Sequence, residues 1–286
     1  MAEKLRGLRR RLKTVRNIEH ITRAMQFVAT AKLQKLQRQV QANQAYAAQL
    51  QRLLERVAAA EESTHPYLVE REINRIAIVV IAGERGLCGA FNQQLTRTAD
   101  ALLEHLAHPA VAVTVGARAE RWARRRGLEV VASFPAVADL DRFGPGSELG
   151  RTVRALYDSG EVDQVQVVYE EFQSALRHRP RVQQLLPIPP APAATSESEA
   201  YYEFLPPARE LLETLLPQAV DALVMYLALA THASEQAARM TAMTAATDSA
   251  RDMITELTRR LNRVRQTMIT SEIMDVVGGA NAIAGG

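Results

Sequence analysis

The chain has 286 residues, with 35 Lys and Arg against 32 Asp and Glu, a formal net charge of +3. With 47% hydrophobic and 23% charged residues it is not a disordered chain, and so small a charge surplus does not mark the whole molecule as a nucleic-acid binder. A single cysteine, Cys88, excludes an internal disulfide and a cysteine-rich zinc site, while 5% aromatics favour long helices over a β-sandwich.

The opening residues, MAEKLRGLRRRLK, have no signal-peptide core. Their Arg-rich pattern imitates a transit peptide but runs on unbroken for about fifty residues. Residues 1–60 form the first segment, free of Pro and with Gly7 as its one glycine. Apolar residues recur at Leu5, Leu8, Leu12, Val15, Ile18, Ile21, Met25, Val28, Leu33, Leu36 and Val40. Steps of three and four predict a coiled-coil helix, with phase shifts between Val15 and Ile21 and between Val28 and Leu33. Such a helix is about 80 Å long at about 1.5 Å per residue, so part of it must project or meet a partner.

The middle segment, 71–200, alternates strand and helix signals. Strands are expected at 75–82, 110–115, 128–134 and 164–169, with 181–186 pairing the last as a hairpin. Helices are expected at 90–106, 118–126 and 147–159. The alternation predicts a mostly parallel sheet with covering helices. The stretch PIPPAPAATSES, 187–198, reads as a linker. The last segment, 207–286, is helical again, with Pro217 either kinking the helix or opening a second one. Small residues fill 228–250, and Ile254, Leu257, Leu261, Val264 and Met268 restore a four-three seam. No segment is expected to span a membrane, because the Ala219–Ala230 run is short and broken by Asp221. The two terminal helices are predicted to pair antiparallel, the longer C-terminal one overhanging.

Candidate chemistry is sparse. The loop Gly83-Glu-Arg-Gly-Leu-Cys-Gly89 sits between a strand and a helix, where backbone N–H groups can hold a phosphate. Its G-x-x-G-x-x-G spacing matches neither the dinucleotide fingerprint nor a P-loop, no Lys-Ser/Thr follows, and Glu84 repels an anion. A structural turn is the expected role, with no cofactor. Cys88 has no histidine near it in sequence and reads as a small buried side chain. His105 and His108 have i, i+3 spacing but Pro109 ends their helix, so no metal site is expected. No catalytic constellation stands out.

Charge distribution says more. Over residues 1–40 only Glu3 and Glu19 oppose a dense series of Lys and Arg, and Arg251, Arg259, Arg260, Arg263 and Arg265 face only Asp252 and Glu256. Paired, these helices make a basic rod that should meet an acidic surface, protein or RNA; the lack of interleaved aromatics weakens RNA.

The segments RNIEHITRAMQFVATAKL (16–33), ERGLCGAFN (84–92), QQLLPIP (183–189), ASEQAARMTAM (233–243) and NRVRQTMITSEIMDVVGGANAI (262–283) resemble the gamma subunit of the F-type ATP synthase. The resemblance implies an α/β fold: a long antiparallel coiled coil of the N- and C-terminal helices plus a Rossmann-like middle domain. It implies a non-catalytic rotor shaft that enters a ring of alpha and beta subunits and whose foot meets epsilon and the membrane ring of c subunits. It implies a peripheral membrane protein at the cytoplasmic face of a bacterial membrane, with no nucleic acid and no cofactor of its own. By motif, Arg265, Gln266 and Thr270 match a polar group that contacts a beta-subunit loop. Met25 matches a coupling-sensitive position near the beta subunits, and Tyr202 and Phe204 match aromatics facing epsilon and the rotor ring. Thr267 and Met268 stand where the family often has Ala or Ser, and Phe204-Leu205-Pro206 lacks the family's frequent acid. An RNA-binding coiled-coil protein is the alternative from the charge pattern, and a phosphate-binding enzyme the one from the loop.

Overall fold

The computed structural model describes residues 2–59, 65–136, 148–189 and 207–284. The elements are α1 (Ala2–Ala59), β1 (Ile76–Ile81), α2 (Phe91–His105), β2 (Ala110–Val115), α3 (Ala117–Arg125), β3 (Glu129–Phe134), α4 (Glu148–Asp158), β4 (Gln164–Ser174), β5 (Arg177–Leu186) and α5 (Ala208–Ala284). The chain divides into two compact units: Met1–Val28 with Met240–Gly286, and Ala29–Arg239.

The larger unit is built on a five-stranded sheet of order β3-β2-β1-β4-β5. β1 pairs parallel with both β2 and β4, and β2 with β3; β5 returns antiparallel along β4. The central strand, IAIVVI, is buried at every position, as a parallel strand covered on both faces must be. One face carries Ile78, Val80, Ala112 and Val168 against Phe91, Leu95 and Ala99 of α2 and Ala119, Trp122 and Ala123 of α3. The other carries Val79, Ile81, Val113 and Val167 with Leu149, Val153 and Tyr157 of α4 and Leu212, Leu216, Val220, Val224 and Leu227 of α5.

α5 runs unbroken through Pro217, whose ring removes one rung of the hydrogen-bond ladder without ending the helix. By length and composition α5 holds a stretch apolar enough to cross a membrane, as a buried core helix also can. More than half of that stretch is buried inside the protein, where it covers the sheet. Asp221, which interrupts the run, makes a two-point ion pair with Arg154 of α4, each bond 3.2 Å.

The smaller unit pairs the start of α1 with the end of α5. The Thr247 hydroxyl lies 2.8 Å from that of Thr22, and Arg251 Nε lies 3.5 Å from Glu19 Oε1. Three steps back along α1 match four steps forward along α5, so the helices are antiparallel. Here the structure corrects the seam. The α1 residues turned inward are Leu5, Leu8, Leu12, Val15, Glu19, Thr22 and Gln26 in this unit and Ala29, Leu33, Leu36 and Val40 in the larger one, all buried or half-buried. That is an unbroken three-four alternation, so no phase shift exists. The apparent stutters arose because Glu19, Thr22 and Gln26 are polar residues in seam positions. Ile18, Ile21 and Val28 are instead exposed.

Candidate functional site

Two places concentrate the family-like motifs. The first is the loop after β1. Gly83 N–H donates to Asn92 Oδ1 at 2.9 Å, and Asn92 Nδ2 donates to Arg85 O at 3.3 Å, closing the loop on the first turn of α2. Glu84 Oε2 accepts from Ala117 N–H and Ala136 N–H, each at 3.2 Å. A carboxylate of the chain thus occupies the N-terminal end of α3, the place where an anion would be held. Cys88 is buried, and burial, with the nearby Glu235 charge, pushes its thiol up from the ordinary range. Such a thiol is a packing group rather than a nucleophile.

The loop is met by the ASEQAARM stretch of α5. A Cβ at Gly83 would lie 2.9 Å from Glu235 Oε1, and Arg239 Nη2 donates to Gly86 O at 3.4 Å and to Glu235 Oε1 at 2.6 Å. His232 Nδ1 is 3.3 Å from Glu235 Oε2. Burial works against ionising Glu235, but His232 and Arg239 outweigh it and hold its carboxyl below the usual range. Two motifs 150 residues apart in the chain are therefore one structure. Among the described residues no group of three or more His, Cys, Asp and Glu side chains could hold a metal. We expect calorimetry of the isolated chain with ATP and with NAD to show no binding heat; a stoichiometric site of about micromolar affinity would contradict the structural role assigned to the loop.

The second place is the surface of the smaller unit. Ile18, Ile21 and Val28, with half-buried Met25, form a second stripe one residue before each seam position, about 100° around the helix. Met25 thus borders an exposed apolar stripe. Arg265, Gln266 and Thr270 are exposed on α5 beside the half-buried Leu261, Val264 and Met268. The antiparallel register puts the first residues of α1 level with Met268. Arg265 and Gln266 therefore stand on the last paired turn and Thr270 just beyond it. Past this point Ile269, Ile273, Met274, Val276 and Val277 are all exposed. The Thr270 hydroxyl donates back to Gln266 O at 3.0 Å, so it offers a partner mainly acceptor lone pairs. Met25 and Arg265 are not brought together: Thr22 marks the level of Thr247, about 27 Å along α5 from Arg265. Tyr202 and Phe204 lie outside the described residues.

Sequence reasoning missed the buried Asp221–Arg154 pair, whose signal was an acid inside an apolar run. It also missed Glu170, fully buried on β4, with Oε1 2.7 Å from His178 Nδ1. Burial raises the Glu170 carboxyl, against the opposing pull of His178.

Residues 4–283 match a family model described as ATP synthase. The "ATP synthase gamma chain" of Desulfitobacterium hafniense is 43% identical over 279 residues, covering 97% of this chain and 98% of that one. That of Desulforamulus reducens is 40% identical over 279 residues, again 97% and 98%. Among solved structures, a chain of the rotor of the Euglena gracilis mitochondrial ATP synthase superposes with a TM-score of 0.67 at 17% identity, covering 94% of this chain and 100% of that chain.

Proposed function

Since the chain belongs to the ATP synthase gamma-chain family, and is thus a non-catalytic, peripheral subunit of that assembly, we infer how its surfaces serve as a rotary central stalk. The alpha and beta subunits surround the paired ends of α1 and α5. Epsilon and the c ring attach at the foot, on the cytoplasmic face of a bacterial membrane. Rotation driven by proton or sodium flux is coupled through the shaft to ATP synthesis, and hydrolysis drives it in reverse.

The observation that carries this reading is the exposed second stripe and apolar end of a helix pair whose own seam is already filled. A soluble helix pair normally turns charge outward. Here Ile21 at 59% and Met274 at 67% exposure share the surface with exposed Arg9, Arg10, Arg16, Arg259 and Arg263. Apolar and cationic surface side by side fits a partner with an apolar lining and acidic loops. The shaft has no threefold symmetry, so each of three equivalent catalytic subunits meets a different face and is biased toward a different conformation. Met25 and the Arg265 group act at two heights of this contact.

The RNA-binding reading finds no support among the relatives. An affinity-tagged chain expressed in its native host should retain ring subunits on purification, whereas recovery of RNA alone would overturn the reading. At the foot, replacing Tyr202 and Phe204 with Ala should lower the membrane-bound fraction of the complex while leaving ring ATPase activity intact. An unchanged membrane-bound fraction would remove these aromatics from the foot contact.

A further inference from the structure

We propose that Glu235 and Arg239 clamp α5 to the Gly83–Gly89 loop, and that this clamp is the joint through which torque passes between the sheet body and the shaft helix. The proposal rests on the rotary reading above. It starts from topology. β1 is followed in the sheet by β2 on one side and β4 on the other, so the order reverses between β1 and β4. In open α/β sheets the crevice beyond the carboxyl ends of such strands holds the ligand. Here α5 fills it. Glu170 N–H, on β4 just past its last pairing with β1 at Val168, donates to Thr231 Oγ1 at 3.1 Å, and Glu235, only 5% exposed, abuts Gly83, two residues beyond the end of β1. The chain's own helix stands where a nucleotide would.

The position of this contact gives it a mechanical role. Along the sheet face α5 is held by Leu212, Leu216, Val220, Val224 and Leu227. Apolar burial is non-directional. Directional contacts are added at Asp221, at Thr231 and at Glu235 with Arg239. The last of these is the last point of the larger unit, which ends at Arg239. A helix gripped there can transmit a twist; one gripped only below can slip in its groove.

The test uses the whole complex reconstituted in vesicles, with ATP hydrolysis and ATP-driven ion pumping measured together. Glu235→Ala should leave hydrolysis within about twofold of the parent and lower ions pumped per ATP about threefold or more. The double variant Glu235→Arg with Arg239→Glu restores an i, i+4 pair on α5 but puts a carboxylate, which cannot donate, where Arg239 faces Gly86 O. It should remain as poorly coupled as Glu235→Ala. Unchanged pumping per ATP in Glu235→Ala, or recovery in the double variant, would overturn the clamp. In a third arm, Gly86→Cys and Arg239→Cys are bridged by a short bifunctional thiol reagent in a Cys88→Ala background. The bridged complex should pump as the unbridged parent does; arrested pumping would show that the joint must move and would overturn the clamp even if Glu235→Ala failed to assemble. Failure of the rotary reading itself is distinct, because the parent chain would then support no ATP-driven pumping.

Discussion

A ring complex carrying Arg265→Ala and Gln266→Ala together is expected to assemble normally and to turn over ATP more slowly by about one to two orders of magnitude. Both side chains are exposed, so their loss costs the fold little. Arg265 is the stronger of the two, since its guanidinium can donate several charge-assisted bonds to a carboxylate. Such bonds are worth about 1.5–3 kcal/mol each, and about 1.4 kcal/mol is tenfold in rate if the bond forms mainly in the rate-limiting state. Thr270, already bonded to Gln266 O, should contribute less than either. Steady-state ATPase assays on a complex shown to contain the chain check this. Turnover equal to the parent's would remove the polar group from the mechanism.

The second large effect is on stability. Gly116 joins β2 to α3 with a φ of +88, and a Cβ there would collide with Ala82 O. That oxygen is backbone, and Ala82 is pinned by its own N–H bond to Val115 O at 2.9 Å, so it cannot swing aside. Gly116→Ala adds left-handed strain of about 1–2 kcal/mol to overpacking of about 1–3 kcal/mol. Against a typical stability of about 5–15 kcal/mol this is a severe loss. Thermal unfolding followed by circular dichroism should show a midpoint lowered by about 10 °C. Gly127 and Gly160 also have positive φ, but nothing lies within 4 Å of a Cβ there, so Ala at either position should cost far less. A Gly116→Ala midpoint equal to theirs would contradict the clash.

Local physics wrote much of this fold legibly into the sequence. The all-apolar β1 needed cover on both faces, and the turn residues around it bounded strands and helices to within a residue or two outside the hairpin strands. Long runs without Pro or Gly, over 8–59 and 218–277, made the two long helices plain. The seam was harder. A pattern search follows apolar residues, and between Val15 and Ala29 it drifts onto Ile18, Ile21 and Val28, one step from the true line. What turns Glu19 and Thr22 inward is Arg251 and Thr247, more than two hundred residues away, and no local rule contains that information. The same holds for Glu84 at the start of α3 and for Glu235 against Gly83: each is a polar residue whose partner is set by tertiary structure. For Arg265, Gln266 and Thr270 the structure supplies position and exposure. Their role rests on family resemblance, because the groups they would bind belong to another chain.

The most direct test of the rotary account is to watch the chain turn. The alpha/beta ring is fixed to a surface and a bead is attached to the larger unit of the chain through a cysteine introduced at the exposed Leu176 in a Cys88→Ala background. With ATP supplied, the account predicts rotation in one direction, in steps of a third of a turn. A bead that stays still while the ring hydrolyses ATP, with the chain present and the attachment intact, would contradict it.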